Sequence, residues 1–227
     1  MGGEILIEII NLSKKFSGTT VLENIDLTVR RGEVFGILGP NGAGKTTLMK
    51  IIATLIKPTE GKIKIFGLDI FKDKYKIKKI IGMASHEDLV YRELTARENL
   101  AFYATLYDIK IKIEDLLKKV GLEGKEDIPV KNFSYGMRRK LNIARALINN
   151  PQVLLLDEAL SGLDIESKKR VYKMIENLKS SKTTIFLSTH EIEEIKICDR
   201  AAVINRKLLK VGEVDEILEY YEKRFKT

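Results

Sequence analysis

The sequence predicts an α/β fold on a mostly parallel sheet, with a helical sub-domain inserted into the core. Three observations predict it. Short apolar runs without alternation, "EVFGIL" (33–38), "VLLLD" (153–157) and "TTIFLS" (183–188), are the pattern of strands covered on both faces. Longer amphipathic segments stand between such runs, so strands and crossover helices alternate. The stretch from Thr95 to about Asn149 carries only helical patterning, with a loop around Gly121 to Phe133.

In chain order, "EVFGIL" reads as a buried strand and "TTLMKIIATLI" (46–56) as the helix that follows it. "GKIKIFG" (61–67) alternates at period two and reads as a strand near a sheet edge. "KNFSYGMRRKLNIARAL" (131–147) reads as a loop running into a helix at Ser134 to Gly136. Free N–H groups there, with Arg138, Arg139 and Lys140 close behind, suit an anion. The three basic residues are expected to steady the helix and its neighbours rather than to touch phosphate. "IESKKRVYKMIENLK" (165–179) is an amphipathic helix between the "VLLLD" and "TTIFLS" strands. "AAVIN" and "KLLKVG" form a terminal hairpin, and a last helix starts at about Glu213.

A chain of 227 residues suits one domain. It is expected to span 1–227, with 1–94 and 150–227 as the α/β core and about 95–149 as the insertion. The hydrophobic share of 44% and the charged share of 32% fit a globular protein with a sizeable core. No apolar run approaches the ~20 residues that cross a bilayer. "MGGEILIEII" lacks the pattern of a secretory signal. Cys198 is the only cysteine, so no internal disulfide forms, which suits a reducing compartment. The net charge of +8 could serve nucleic acid or lipid. The lysines are scattered through Lys72–Lys79, Lys110–Lys119 and Lys168–Lys173 among Asp, Glu and Ile. That dispersion favours solvated faces, and no nucleic-acid partner is expected.

"GPNGAGKTT" comprises Gly39, Pro40, Asn41, Gly42, Ala43, Gly44, Lys45, Thr46 and Thr47. It fits the phosphate-binding loop pattern, with a strand before it and a helix after it. The glycines let the backbone wrap closely and turn N–H groups inward on phosphate oxygens. Lys45 adds a charge for the β- and γ-phosphates, and the Thr46 hydroxyl is a hard oxygen ligand for Mg²⁺. "VLLLDE" delivers Asp157 and Glu158 at the C-terminal end of a buried strand, where open α/β sheets bind ligands. Asp157 is expected to hold Mg²⁺ through water, and Glu158 to orient and polarise the attacking water. "LSTH" puts His190 after the next strand, at the same edge. A donor there can touch a γ-phosphate and sense its loss.

In this order the motifs resemble the ATP-binding subunit of an ABC transporter, from about Ile5 to Glu219, and the resemblance implies a P-loop NTPase core with an antiparallel β portion at the N-terminus. "FSYGM" (133–137) is similar to that family's signature, and "SGLD" (161–164) to the loop joining its two catalytic sites. The resemblance implies ATP and Mg²⁺ as cofactors and Phe16 as the ring that stacks on adenine. It implies a second ATP-binding subunit packed head to tail, so that Ser134 and Gly136 cap the γ-phosphate of the partner's ATP. It also implies integral membrane permease subunits and a peripheral place on the cytoplasmic face of the cell membrane. "YRELTARENLAFYATLY" (91–107) and "GMRRKLNIARAL" resemble the exporter-type branch, so the expected activity is ATP hydrolysis driving export.

Two positions depart from the family. His86 stands where Gln is usual, at a residue that contacts Mg²⁺, and an imidazole is a poorer Mg²⁺ ligand than an oxygen. Tyr135 stands where the signature has Gly, and its ring either turns away or obstructs. The alternative function is a non-transport ATPase of the same type. DNA-maintenance members place a long coiled coil between P-loop and signature, whereas Lys45 and Ser134 are joined by a compact segment without heptads. Translation-associated members carry two such domains in one chain, and this chain holds one. A GTPase wants an N-K-x-D guanine reader, which is absent.

Overall fold

A computed structural model describes residues 4–87 and 89–225; the outer ends of the expected 1–227 span lie outside the described residues. The chain opens with the antiparallel pair β1 (Ile5–Phe16) and β2 (Thr19–Arg30), followed by β3 (Val34–Leu38) and α1 (Lys45–Ile52). β4 (Glu60–Ile65), β5 (Leu68–Asp69), α2 (Lys74–Ile80) and β6 (Ile81–Ser85) come next. The helical stretch holds α3 (Ala96–Leu106), α4 (Ile113–Lys119), a 3₁₀ turn (Val130–Asn132) and α5 (Tyr135–Ala146). It returns to β7 (Val153–Asp157), α6 (Ile165–Ser180), β8 (Thr184–Thr189), α7 (Ile192–Ile195), β9 (Arg200–Asn205), β10 (Lys207–Glu213) and α8 (Val214–Phe225).

Among the described residues the strands form two sheets. One is antiparallel, in the order β2-β1-β4-β5; the other runs β10-β9-β3-β8-β7-β6 and is parallel from β9 to β6. The register of the parallel strands sets the site. Leu38 pairs with Thr189, Asp157 with Ser188, and Ser85 with Asp157. The residues that follow each strand, at Gly39, His190, Glu158 and His86, therefore leave the sheet along one edge.

The continuous apolar runs follow from burial on both faces. Side chains alternate across a strand. Phe35, Ile37, Val153, Leu155 and Phe186 join the cluster that holds Leu48 and Ile52 of α1 and Ile7 of β1. Leu154, Leu156, Ile185 and Leu187 face the other way, into the cluster with Leu100, Leu141 and Val171. All five residues of β7 are buried, and removing one such side chain to Ala costs ~2–5 kcal/mol. Helices start where short polar side chains cap them. Thr95 forms a reciprocal capping box with Glu98, and Asp164 accepts the Ser167 N–H at 2.7 Å.

The boundaries differ from the sequence pattern in two places. α1 ends at Ile52, not 56: Thr54 takes φ 60° and the Leu55 N–H bonds the Lys50 carbonyl at 2.9 Å. This is a left-handed helix stop ahead of Pro58, which cannot continue a helix. Residues 74–85 carry no element in the sequence reading, yet they form α2 and the sheet-edge strand β6. One lysine, Lys168, departs from the solvated expectation, while Lys169 and Lys173 of the same run are exposed. Lys168, 19% exposed at its side chain, sits 2.6 Å from Glu191 and 2.7 Å from the buried Glu194.

Candidate active site

The P-loop wraps the end of β3 before entering α1. Gly44 has φ 98°, a region L side chains rarely adopt, and a Cβ there would lie 2.6 Å from Leu22. A Cβ on Gly39 would meet the Ile204 carbonyl at 2.3 Å, so that glycine is needed for close packing on β9. Asn41 to Thr47, Val21 and Glu158 line a cavity of about 270 Å³.

Lys45, 3% exposed at its side chain, donates to the carbonyls of Gly39 (2.8 Å) and Pro40 (3.1 Å) and lies 3.1 Å from Glu158 Oε1. A buried cation needs such compensation, and phosphate oxygens entering the cavity can supply it in place of these partners. Glu158 has φ 49°, in the left-handed region, and such backbone strain concentrates at functional sites. Its N–H donates to the Ser188 carbonyl at 3.0 Å and to Ser188 Oγ at 3.2 Å. The same Oε1 lies 3.7 Å from His190 Nδ1. Glu158 thus stands between Lys45 and His190.

Asp157 is fully buried. Its Oδ1 accepts hydrogen bonds from the Ser188 hydroxyl (2.6 Å) and the Thr46 hydroxyl (3.2 Å). Oδ2 has no hydrogen-bond partner, and His86 Nδ1 stands 3.9 Å from it. Burial pushes the Asp157 carboxyl above the usual range, against the pull of the two hydroxyls. An orphaned buried oxygen beside a threonine hydroxyl is a donor set of the kind Mg²⁺ takes, directly or through its water. Among the described residues no cluster of three or more His, Cys, Asp or Glu side chains gathers as a metal cage. A Mg²⁺ ion here would need substrate oxygens as well, its usual habit in nucleotide sites.

Two of the expected groups stand apart from this cavity. Phe16 closes β1 opposite Thr19, is 45% exposed and carries Lys14 Nζ 4.6 Å above its ring; it does not line the cavity, to which the hairpin contributes Val21. Ser134 and Gly136 do not line it either. Ser134 caps α5 by accepting the Met137 N–H at 3.2 Å, and the N–H groups of Tyr135 and Gly136 have no acceptor among the described residues. The basic run behind them is structural: Arg138 donates to the Phe133 carbonyl, Arg139 to the Ser85 carbonyl and Lys140 to the Gly121 carbonyl.

Ser188 is the site residue that sequence reasoning passed over. It lies inside "LSTH", two residues before His190, but a serine within an apolar strand gives no signal until its register beside Asp157 is known. A larger cavity of about 700 Å³ is elsewhere, lined among others by Arg31, Lys118, Lys119, Arg170, Lys173 and Lys182. It adjoins the N-terminal ends of β3, β7 and β8, away from the P-loop.

The family model described as "ABC transporter" matches residues 22–161. The chain belongs to the ABC transporter family. It is an ATP hydrolase of that family. It is 39% identical over 211 residues to the ABC transporter ATP-binding protein NatA of Bacillus subtilis, covering 88% of this chain and 86% of that protein. It is 37% identical over 215 residues to the Nod factor export ATP-binding protein I of Sinorhizobium fredii, covering 91% of this chain and 63% of that longer protein. A dimeric ATP-binding cassette in a post-hydrolysis state, bound to ADP and phosphate, superimposes with a TM-score of 0.85 at 25% identity, over 92% of this chain and 99% of its own.

Proposed function

We propose that this ABC family member is the ATP-hydrolysing subunit of an exporter, working as a head-to-tail pair on separate integral membrane permeases. The observation that carries the reading is the division of the site. Lys45, Asp157, Glu158 and His190 converge on one sheet edge, while the bare N–H groups of Tyr135 and Gly136 stand outside the cavity. In this reading the P-loop, Gly39 to Thr47, holds the ATP phosphates, with Lys45 on the β- and γ-phosphates. Glu158 orients and polarises water for in-line attack, and His190 contacts the γ-phosphate. Thr46 and Asp157 would hold Mg²⁺, which would supply charge neutralisation on the phosphates, with His86 acting on it through water. Phe16 stacks on adenine. Ser134 and Gly136 close on the nucleotide of a second ATP-binding subunit, since a helix N-terminus favours an anion by only ~0.3–1 kcal/mol and works best within a shared site. The 95–149 helical segment acts as the signature sub-domain of a single cassette.

An exposed apolar surface supports a membrane partner. Leu55, Leu89, Tyr91, Phe102, Leu106 and Tyr107 are 40–65% exposed, and Tyr91 and Phe102 meet edge to face at 5.2 Å. Such a patch marks an interaction site, and no helix of the described residues is long and apolar enough to cross a membrane. The protein would therefore sit peripherally on the cytoplasmic face, held by the permeases. Export is supported by the name of the Nod factor relative and by the exporter-like helical segment. Sedimentation of Glu158→Gln with millimolar ATP tests the pairing: a nucleotide-dependent dimer is expected, and a monomer under all ATP conditions, with the permeases present, would overturn it.

A further inference from the structure

Tyr135 occupies the first turn of α5, and its ring has a defined seat. It lies over Gly162 of the "SGLD" loop, where a Cβ on Gly162 would be 2.5 Å from Tyr135 Cε1 and 3.1 Å from Cδ1. The phenol oxygen accepts from Arg139 Nε at 2.9 Å and from a second guanidinium nitrogen of the same arginine. The guanidinium carbon is 4.7 Å from the ring centroid. Arg139 is only 5% exposed, and its Nη1 donates to the Ser85 carbonyl at 3.1 Å. Asn142, one turn on, donates to the Ser85 carbonyl at 2.8 Å and the Glu87 carbonyl at 3.0 Å. One aromatic residue thus meets the loop before α6, the start of α5 and, through Arg139, the strand end that carries His86.

The ring turns back onto Arg139 and Gly162, and the N–H groups of Tyr135 and Gly136 have no acceptor among the described residues. Gly162 has φ 76° and no side chain of its own, so within a loop otherwise held by the buried Leu163 and by the Asp164 cap on α6, the Tyr135 ring is the contact at Gly162 itself. We propose that Tyr135 is a positioning residue that pins the Ser161–Asp164 loop to the signature turn, so that both surfaces meet a second subunit as one rigid unit. The pin is a property of the single chain; its effect on hydrolysis rests on the head-to-tail reading above.

Hydrogen exchange on the nucleotide-free chain tests the pin without reference to turnover. Tyr135→Gly should raise exchange of the 161–164 amides about tenfold, because local opening follows lost packing. Tyr135→Phe, which keeps the ring on Gly162, should retain most of the protection. A double-mutant cycle isolates the contact: Gly162→Ala should harm the wild type more than it harms the Tyr135→Gly background, a coupling expected only of touching residues. Unchanged exchange and an additive cycle would remove the pin. In the ATP-hydrolysing assembly, Tyr135→Gly should lower kcat about tenfold with KM for ATP moving less than about twofold, since misplaced groups cost the transition state most. A raised kcat would mean the ring obstructs the partner's nucleotide. A lower melting temperature with kcat and local exchange unmoved would make Tyr135 merely structural. Either result would overturn the proposal.

Discussion

The two regions proposed to meet phosphate are built in opposite ways. Around the P-loop the buried charges are held within the chain, Asp157 Oδ2 excepted: Lys45 lies against Glu158 and two carbonyls, and Asp157 Oδ1 accepts from two hydroxyls. At the head of α5 the N–H groups of Tyr135 and Gly136 have no acceptor among the described residues, and Ser134 is exposed. Burial explains the contrast. A cation 3% exposed must be compensated within its own chain, whereas a helix terminus at the surface can leave its donors to water until a second molecule arrives. In the proposed reading the first region is a site in waiting and the second is half of one.

Substitutions can break or sharpen that contrast. Glu158→Gln should have the largest effect, a fall in ATP turnover of about 10³-fold with nucleotide binding retained, as for loss of a general base; single-turnover kinetics beside equilibrium binding would show it. Gly136→Asp addresses the other region. A Cβ there meets only Leu163, at 3.7 Å, and a carboxylate at a helix N-terminus gains ~0.5 kcal/mol of helix stability. The fold should hold while turnover drops about 100-fold, because the same charge repels phosphate. A variant that melts early and hydrolyses normally would reverse the assignment.

Lys168→Met is expected to cost about 2 kcal/mol in denaturant unfolding, because it strands the buried Glu194 without its cation. Asp157→Asn should give the smallest change in stability and with the opposite sign, a gain of about 1 kcal/mol for the nucleotide-free protein at neutral pH, from removing a buried negative charge. Burial raises this carboxyl in the fold, so the stability it contributes is present in acid and is lost as pH rises through the raised value. The gain from Asn should therefore vanish in acid and grow as pH rises, which melting curves across pH would record. Its Mg²⁺-dependent turnover should be lost.

Much of this architecture was legible as pattern. "VLLLD" is β7 residue for residue, and "TTIFLS" is β8 displaced by one, because burial on both faces forbids polar alternation. "GPNGAGKTT" and the paired acids announce phosphate chemistry through local backbone needs alone. The end of α1 was not legible: Thr54, Leu55 and Ile56 are as apolar or helix-compatible as the turn before them, and only the left-handed residue at Thr54 stops the helix. β6 was missed because "IIGMAS" is short and lies directly against α2 without a turn signal. Lys168 was misread because a lysine's surroundings depend on which acids the fold brings to it.

By itself, then, the sequence determined what is local: strand and helix periods, the glycines the P-loop demands, and the residue types delivered at each strand end. Tertiary structure alone decided what meets across the chain. Strand register set Ser188 beside Asp157 and Glu158 between Lys45 and His190, and the packing of α5 beside the loop before α6 seated Tyr135 on Gly162. Contacts between residues far apart in the chain are fixed by packing many side chains at once, and no window of neighbouring residues contains that information.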